Sequence, residues 1–292
     1  MSKTIVTHDG KFHADDVFAV AALFLREPSA KIIRTRDEAE IRAADFVVDV
    51  GGVYDEGRNR FDHHQVGGAL FRGNGVAYAA FGLVWKKFGE ELSGSARAAA
   101  RLDAVLAVTL DANDNGVDLV RSVHPSRAHP YDIPDAIRAF TPAWSESEET
   151  LAAGFEKALS LALSLLEREI IRARSFAAGE EKVLAAYRAA SDKRLVILDN
   201  DYSWKDALAR FPEPLFVVHP QDEGWRLYSV RSDPESFENR TDLPESWAGL
   251  RDAELAKVTG VPDAVFCHRN RFMAVAKTRE GALALAKLVL AN

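Results

Sequence analysis

Short apolar runs alternate with helix-like segments over the first 50 residues of the chain. Residues 3–7, 31–34 and 46–50 are typical of short buried strands, whereas residues 15–25 and 37–43 have the apolar spacing of helices. Strands that alternate with helices are joined by crossover connections, so this region predicts a mostly parallel sheet flanked by helices. In such sheets, binding and catalytic side chains collect where the strands end. Further helices are predicted at 77–88 and 96–110.

The 292 residues are enough for two domains. Between 148 and 191, apolar residues recur at helical spacing with charges between them, which predicts a long amphipathic connector or two helices in tandem. A second α/β pattern follows, with strands at 194–198, 215–219, 225–230, 264–267 and 272–276 and helices at 204–210, 253–259 and 281–290. We therefore expect a metal-binding catalytic α/β domain at 1–147, a helical connector at 148–191 and a smaller substrate-binding α/β domain at 192–292.

Composition excludes several classes of protein. Hydrophobic residues make up 47% and charged residues 28% of the chain, which is the balance of a protein with a packed core. The sequence contains neither the apolar stretch of a signal peptide nor that of a membrane span, and its single cysteine, Cys267, can form no internal disulfide. A cytoplasmic protein with no membrane partner is therefore expected. The net charge of −7 disfavours a broad basic surface for duplex DNA.

A cluster of potential metal ligands directly follows the first predicted strand, in the string THDGKFHADD. Each residue alone has an ordinary explanation, since Asp15 or Asp16 could cap a helix and a lone histidine near a core is usually just hydrogen-bonded. Together with His8 and His13, however, they combine imidazole and carboxylate groups within nine residues. That combination suits manganese, zinc, iron or cobalt, whereas an all-oxygen set would suit magnesium or calcium.

Asp49 is the second feature. It interrupts the apolar run from Phe46 to Val50, where an isolated carboxylate would suffer a large desolvation penalty. Gly51 and Gly52 follow, so Asp49 is expected at the end of the third strand, at the same sheet edge as the first cluster. There it could bridge two cations, or it could cap the loop and turn out to solvent.

Two further strings, RFDHHQ and LDANDNG, contain the remaining candidate metal ligands. Adjacent side chains on an extended segment point to opposite sides, so His63 and His64 are expected to differ in role, one ligating metal and the other facing substrate. Asp62 is suited to orient an imidazole. The string LDANDNG ends a predicted helix, and taken alone it would be an ordinary acidic C-terminal loop.

The strings THDGKFHADD, VDVGGVYD, RFDHHQ and LDANDNG resemble, in order and approximate spacing, the motifs of the DHH phosphoesterase superfamily. That superfamily includes RecJ-type exonucleases, oligoribonucleases and family-II inorganic pyrophosphatases. The strings look closer still to the Myg-type exonuclease family, formerly uncharacterised, whose eukaryotic members are described as metal-dependent 3′–5′ RNA exonucleases. The resemblance extends into the C-terminal third through LPESWAGLRDAEL, DAVFCHRNRF and REGALALA.

The first motif departs from the usual pattern. The superfamily spaces its ligands as His-x-x-x-Asp-x-Asp, whereas here the series is His8, His13 and Asp15, with one residue more between the first two and histidine in place of an aspartate. Because imidazole suits a transition metal better than magnesium, the departure favours a transition metal.

The resemblance implies two divalent cations, with manganese preferred and zinc, cobalt, iron or magnesium as alternatives. The implied ligands are His8, His13 and Asp49 for one cation, and Asp15, Asp49, His63 and either Asp111 or Asp114 for the other. Asp49 would bridge the two cations and is assigned a catalytic role together with His64, which would face the substrate phosphate, and with Asp62.

The C-terminal domain is expected to supply the other substrate contacts, because guanidinium groups bind phosphates bidentately. Its candidates are Arg231, Arg251, His268, Arg269 and Arg271. Single-stranded RNA or a short oligonucleotide is the expected substrate, in a 3′–5′ exonuclease-like reaction. The alternative is a phosphatase of pyrophosphate or of a nucleotide bisphosphate, and a third hypothesis is a non-catalytic RNA- or protein-binding module. The sequence leaves the oligomeric state open, a homodimer included.

Overall fold

The computed structural model describes residues 2–120, 130–147, 149–233 and 236–291. The chain divides into two compact units, Met1–Arg174 and Ser175–Asn292. Each unit contains one five-stranded sheet with helices packed against it. The predicted α/β fold class, with a smaller α/β region at the C-terminal end, is therefore confirmed.

The sheet of the first unit is mostly parallel, as predicted. Its strands are β1 (Thr4–Thr7), β2 (Lys31–Arg34), β3 (Phe46–Val48), β4 (Tyr54–Asp55) and β5 (Arg60–Phe61). They lie in the order β2-β1-β3-β5-β4. All neighbours are parallel except β4 and β5, whose two-residue strands form a hairpin that apolar periodicity did not indicate.

Within the described residues, six α-helices of this unit precede the long helix that leads into the second unit. They are α1 (Ala14–Arg26), α2 (Glu38–Ala43), α3 (Ala80–Ser93), α4 (Ala96–Leu102), α5 (Val108–Asp114) and α6 (Ile133–Arg138). Helices α1 and α3 pack together through Phe18 and Phe81, whose ring centroids lie 5.6 Å apart. The single helix predicted at 96–110 is interrupted by a π-helical turn at Asp103–Ala107. Such turns are rare and are often found at functional sites.

The predicted connector is one continuous helix, α7 (Glu149–Ala189), of 41 residues. Its N-terminal part buries Phe155, Ala162 and Leu166, whereas Val183 and Tyr187 near its C-terminal end belong to the core of the second unit. The division between the two units, at residue 174, therefore falls inside α7. Residue 148, the expected start of the connector, lies outside the described residues. In the described ranges, neither α7 nor any other helix combines the length and apolar character of a bilayer span.

The second unit has a mixed sheet. Its strands are β6 (Leu195–Ile197), β7 (Phe216–Gln221), β8 (Gly224–Ser229), β9 (Ala264–Cys267) and β10 (Met273–Ala276), in the order β6-β7-β8-β10-β9. Only β6 and β7 are parallel. The helices α8 (Lys205–Leu208), α9 (Asp252–Thr259) and α10 (Arg279–Leu290) accompany it. Each strand predicted in this region has a counterpart in the sheet.

The Arg240 side chain connects several loops of the second unit through hydrogen bonds. Its guanidinium donates hydrogen bonds to the backbone carbonyls of Ala209, Phe211, Pro214 and Arg231. Hydrogen bonds to charged groups contribute ~1.5–3 kcal/mol each and are not additive, so we expect Arg240→Ala to lower the free energy of unfolding by about 2–4 kcal/mol.

The matched control is Arg172→Ala, because the Arg172 side chain is 70% exposed in its ion pair with Glu169. This change should cost less than about 0.5 kcal/mol. Urea denaturation of the two variants and the wild type measures both values. Equal losses for Arg240→Ala and Arg172→Ala would contradict a structural role for Arg240.

Candidate metal centre

Three strand ends bring the predicted ligands together. His8 directly follows β1, Asp49 directly follows β3, and His63 lies two residues after β5. The strands β1, β3 and β5 are parallel neighbours, so their carboxyl ends meet at one edge of the sheet. The alternation of strands and helices in the sequence therefore places these three residues at one edge of the sheet.

The Asp49 carboxylate lies between two imidazoles. Its Oδ2 is 3.4 Å from Nε2 of His8, and its Oδ1 is 3.4 Å from Nε2 of His63. Asp49 is 4% exposed and has a φ of 54°, in the left-handed region that few residues other than glycine adopt. Gly51 and Gly52 continue the turn at φ values of 92° and 65°. This turn, residues 49–52, ends β3 and aims the carboxylate across the neighbouring strand ends.

A first group of donors surrounds one side of Asp49. Single donor atoms of His8, His13, Asp16 and Asp49 all lie within 4.8 Å of one another. Nδ1 of His8 donates a hydrogen bond to the carbonyl of Asp9 at 2.8 Å, which leaves a lone pair on Nε2 in the neutral ring. Asp16 is fully buried and accepts the N–H of His13 with one oxygen, while its Oδ2 has no hydrogen-bond partner. Asp16 was not among the expected ligands.

A second group lies on the other side of Asp49. Donor atoms of Asp15, His63 and Asp114 fall within 4.8 Å of one another, as do those of Asp49, His63 and His64. Nε2 of His63 is 3.0 Å from Oδ2 of Asp114. Despite this short distance, Nε2 of His63 has no hydrogen-bond partner, and neither has Oδ1 of Asp49. Asp49 therefore belongs to donor groups on both of its sides.

Two buried aspartates cap the N-terminus of α3. Asp15 accepts the N–H groups of Ala80 and Phe81 at 2.8 Å each, and Asp111 accepts that of Gly82 at 3.0 Å. The residue at the cap position supplies no side-chain hydrogen bond, so the helix depends on these two carboxylates from elsewhere in the chain. Negative charge at a helix N-terminus is also favourable electrostatically. Asp15 therefore combines a capping role with a place in the second donor group.

Asp111 and Asp114 have different surroundings. Asp111 is fully buried and forms an ion pair with Arg72, which also binds Asp103 at 2.8 Å. A Cβ atom at Gly82 would overlap the Asp111 carboxylate, so only glycine fits there. The structure thus brings Asp114 to the donor group of His63 and brings Asp111 to Arg72 and α3.

The crowded carboxylates change the acidity of the cluster. Burial and the neighbouring carboxylates raise the pKa of Asp15 well above its ordinary value, and burial raises the pKa of Asp16 to about 7. Burial would raise the pKa of Asp49 as well, but the imidazoles of His63 and His8 hold it below its ordinary value. Burial would lower the pKa of His63, yet Asp114 and Asp49 raise it to about 11. The raised pKa values of Asp15, Asp16 and His63 and the lowered pKa of Asp49 have one origin, because this crowded group of carboxylates favours positive charge beside it.

Divalent cations fit these residues. Oδ2 of Asp16, Oδ1 of Asp49 and Nε2 of His63 are buried polar atoms without a hydrogen-bond partner. A buried polar atom left unpaired costs ~1–3 kcal/mol, so such atoms are uncommon unless an ion or water satisfies them. The mixture of imidazole nitrogens and carboxylate oxygens is the donor set of manganese, iron, cobalt or zinc rather than of calcium.

The side chains of His63 and His64 lie on the same side of the chain but differ in exposure to solvent. Their ring centroids are 4.4 Å apart, so the expectation that they point in opposite directions is wrong, because β5 ends at Phe61 and the triplet does not continue the strand. The His63 side chain is 8% exposed, whereas that of His64 is 61% exposed. Asp62 accepts hydrogen bonds from Nδ1 of His64 at 2.8 Å and from its backbone N–H at 3.0 Å. Asp62 thus orients the exposed imidazole.

A cavity of about 740 Å³ opens over the cluster. Its walls include His8, His13, Asp49, Asp62, His64 and Asp114. Lys11 and Arg36 line the same cavity and were missed by the sequence analysis. Lys11 lies inside the first motif and Arg36 lies just beyond β2, so a search for cations at the ends of predicted strands would have found both.

The second unit contains the residues expected to bind substrate. His268, Arg269 and Arg271 lie in the turn between β9 and β10, and Arg251 lies over the ring of Phe266 in β9, 4.4 Å from its centroid. These four therefore gather around one turn of the second sheet. The fifth, Arg231, lies in another loop of that unit, beyond the end of β8.

The roles of Asp111 and Asp114 can be separated by stability measurements on the metal-free protein. Asp111→Asn removes one partner of a buried ion pair, so we expect the free energy of unfolding to fall by about 3–5 kcal/mol. Asp114→Asn removes the contact with His63 but also relieves the repulsion with Asp15, and because these effects oppose each other it should change the free energy of unfolding by less than about 1 kcal/mol. Chemical denaturation in the presence of a chelator measures both. A larger loss for Asp114→Asn than for Asp111→Asn would contradict this assignment.

Comparison with known proteins places the chain in a family. The MYG1_exonuc family model, described as an uncharacterised protein family (UPF0160), matches residues 4–290. The MYG1 exonuclease of Homo sapiens is 31% identical over 324 residues, which cover 99% of this chain and 86% of the relative. The MYG1 protein C694.04c of Schizosaccharomyces pombe is 31% identical over 314 residues, which cover 98% of this chain and 97% of the relative.

Among solved structures, the crystal structure of RecJ in complex with Mg²⁺ from Thermus thermophilus aligns with 99% of this chain and 49% of its own, at 16% identity and a TM-score of 0.29. The family match, in contrast, spans nearly the whole chain and is supported by relatives that align over most of their own length. The chain belongs to the MYG1_exonuc family.

Proposed function

We propose that this protein is a metal-dependent phosphodiesterase that hydrolyses RNA or short oligonucleotides in a 3′–5′ exonuclease-like reaction. The observation that carries the proposal is the Asp49 carboxylate, buried at one sheet edge between the donor group of His8 and that of His63. A carboxylate shared in this way is suited to bridge two cations. The exonuclease name of the human relative agrees with this chemistry.

The proposed ligands follow from the two donor groups. His8, His13 and Asp49 would hold one cation, with Asp16 beside them, while Asp15, Asp49, His63 and Asp114 would hold the other. We leave Asp111 out of this set because it is bound to Arg72 and α3. Manganese is the preferred metal, with zinc, cobalt, iron and magnesium as alternatives, since three imidazoles contribute. When bound, a pair of divalent cations acidifies water and stabilises the charge that develops on phosphorus during in-line displacement.

Residues of the chain supply the remaining chemistry. His64 projects its exposed imidazole into the cavity, and Asp62 holds Nδ1 as the donor in their hydrogen bond. The other ring nitrogen is therefore free to face a substrate phosphate, where a protonated imidazole would favour developing negative charge. Lys11 and Arg36 add positive charge at the rim of the same cavity.

The second unit would contribute further phosphate contacts. Arg251, His268, Arg269 and Arg271 surround the β9–β10 turn, and Arg231 lies beyond β8. Arg271 is paired with Asp242 at 2.8 Å in a half-exposed ion pair, which is the kind of pair a phosphate can replace. These five residues remain our candidates for binding the rest of the substrate.

Replacement of Asp49 tests the bridging role. Asp49→Asn removes the charge shared by both donor groups, so we expect the manganese-dependent rate of phosphodiester hydrolysis to fall at least about 100-fold, or ~2.7 kcal/mol. The protein should still fold, because Asp49 caps no helix in the described chain. The matched control is Asp118→Asn, an exposed aspartate whose replacement should leave the rate within about twofold of wild type. Retention of more than about a tenth of the wild-type rate in Asp49→Asn would contradict the bridging role.

A substrate panel separates the proposed function from its alternatives. Labelled RNA and DNA oligomers, nucleotide bisphosphates and pyrophosphate are each incubated with the protein and manganese. We expect the RNA oligomers to shorten stepwise from the 3′ end. Phosphate release from pyrophosphate with the oligomers untouched would instead indicate a small-molecule phosphatase, and absence of bound manganese by elemental analysis would indicate a non-catalytic binding module.

A further inference from the structure

A second cavity, of about 470 Å³, adjoins the metal centre within the first unit. It shares Arg36, Val50 and Gly51 with the cavity over the metal centre. Val50 and Gly51 belong to the 49–52 turn, which positions the Asp49 carboxylate. The wall between the two cavities is therefore the turn that carries the proposed bridging ligand, and a ligand in the second cavity lies next to the reaction site.

Four apolar residues line this second cavity, and we call them its floor. They are Ile41, Val47, Val50 and Val53. Val47 and Val50 belong to a packed core cluster, whereas Val53 is 45% exposed. Gly51 approaches Ile41 closely, since a Cβ atom there would lie 3.2 Å from its Cγ2. A rigid apolar surface of this size, inside a cavity in the range of small-ligand sites (~300–1,000 Å³), suits a flat apolar group such as a nucleobase.

The charged residues that line the cavity, which we call its rim, are mostly cationic. Its charged residues are Arg36, Arg42, Arg58 and Arg60, against the single carboxylate of Glu38. This excess of positive charge complements an anionic ligand, and guanidinium groups bind phosphate bidentately. A ligand with one apolar flat part and at least one phosphate therefore fits both the floor and the rim.

In the described part of the chain, three of the arginines form exposed ion pairs in which a phosphate can replace the carboxylate. Arg36 pairs with Asp9, Arg42 with Glu38, and Arg58 with Asp55. The side chains of these arginines are 64%, 70% and 74% exposed. Ion pairs in such positions contribute little to stability, so exchanging a carboxylate for a phosphate costs little.

Arg60 is the fixed cation of the group. Its guanidinium donates hydrogen bonds to the carbonyls of Arg58 at 2.8 Å and Ala44 at 2.9 Å. No carboxylate forms an ion pair with it in the described part of the chain. Its charge therefore has no carboxylate in direct contact, which favours binding of an anion in the cavity.

We propose that this second cavity is a nucleotide subsite, which takes the nucleotide that adjoins the scissile phosphate of a single-stranded oligonucleotide. The proposal rests on the proposed phosphodiesterase function. The base lies on the floor of Ile41, Val50 and Val53, and the phosphate is bound by the arginine rim. A substrate of two or more nucleotides occupies both cavities, whereas pyrophosphate occupies only the one over the metal centre. The subsite thus favours oligonucleotides over small phosphates.

Charge reversal at Arg42 tests this subsite, with Arg172→Glu as the matched control. Both arginines lie on helices of the first unit, both pair with a glutamate on their own helix, and both side chains are 70% exposed. Two quantities are measured. The first is the Kd of a fluorescent pentaribonucleotide in the presence of a chelator, by anisotropy. The second is the ratio of kcat/KM for that oligomer to kcat/KM for bis(p-nitrophenyl) phosphate, with manganese.

In Arg42→Glu we expect the Kd to rise at least about tenfold and the kcat/KM ratio to fall by a similar factor, as loss of a charged phosphate contact predicts. In Arg172→Glu both should stay within about twofold of wild type. Val53→Trp fills the cavity without changing its charge, so it should raise the Kd and lower the kcat/KM ratio in the same way. If Arg42→Glu does not fold, Val53→Trp provides the test of the subsite. Unchanged values in Val53→Trp, or equal changes in Arg42→Glu and Arg172→Glu, would overturn the subsite.

The binding measurement also separates this proposal from the proposed function, because it needs neither metal nor turnover. If the wild type hydrolyses no phosphodiester, the proposed function fails. In that case a weaker Kd in Arg42→Glu and Val53→Trp, with Arg172→Glu unchanged, still supports the nucleotide subsite. Failure of the wild-type protein to bind the pentaribonucleotide overturns it.

Discussion

The first unit is organised around buried negative charge. Asp15, Asp16, Asp49, Asp62 and Asp111 are each 4% exposed or less, and each carboxylate is stabilised by a different set of donors. The amides at the start of α3 stabilise Asp15 and Asp111, the His13 amide stabilises Asp16, and a glycine amide and His64 stabilise Asp62. Asp49 has the imidazoles of His8 and His63 at 3.4 Å, and its Oδ1 has no hydrogen-bond partner. The cluster therefore lacks a hydrogen-bond donor or a cation at Asp49, where the two donor groups meet.

The same short turn connects this cluster to its surroundings. Residues 49–52 end β3, aim Asp49 at the strand ends of β1 and β5, and form a wall of both cavities. Asp62 fixes the turn by accepting the N–H of Gly52 at 2.6 Å, and it also orients His64. The proposed metal ligation, the orientation of the exposed histidine and the proposed nucleotide subsite thus depend on one segment of backbone. A left-handed backbone conformation at a residue other than glycine, as at Asp49, persists only where the surrounding structure holds it in place. Such residues are common at functional sites.

Much of the fold and of the cluster could be predicted from the sequence, because both follow from local patterns. Alternating strands and helices placed His8 and Asp49 at one sheet edge, and a carboxylate inside an apolar run marked Asp49 as special. Asp111 and Asp114 could not be told apart, since residues three apart on a helix share a face and the decisive partner, Arg72, is 39 residues away from Asp111. Asp16 belongs to the first cluster of the sequence but not to the implied ligand set, because the exact start of α1 decides which of two adjacent aspartates points toward His8. The expectation that the side chains of His63 and His64 point in opposite directions was wrong, because β5 ends at Phe61 and does not continue through these residues.

The central claim is that one carboxylate, Asp49, joins two cation sites. Electron paramagnetic resonance of the manganese-loaded protein measures this most directly, because two manganese ions that share a carboxylate at ~3.5–4 Å are magnetically coupled. We expect two manganese ions per chain and the spectrum of a coupled pair, which Asp49→Asn converts to that of isolated ions or abolishes. Binding of a single manganese ion per chain in the wild-type protein, with the spectrum of an isolated ion, would contradict it.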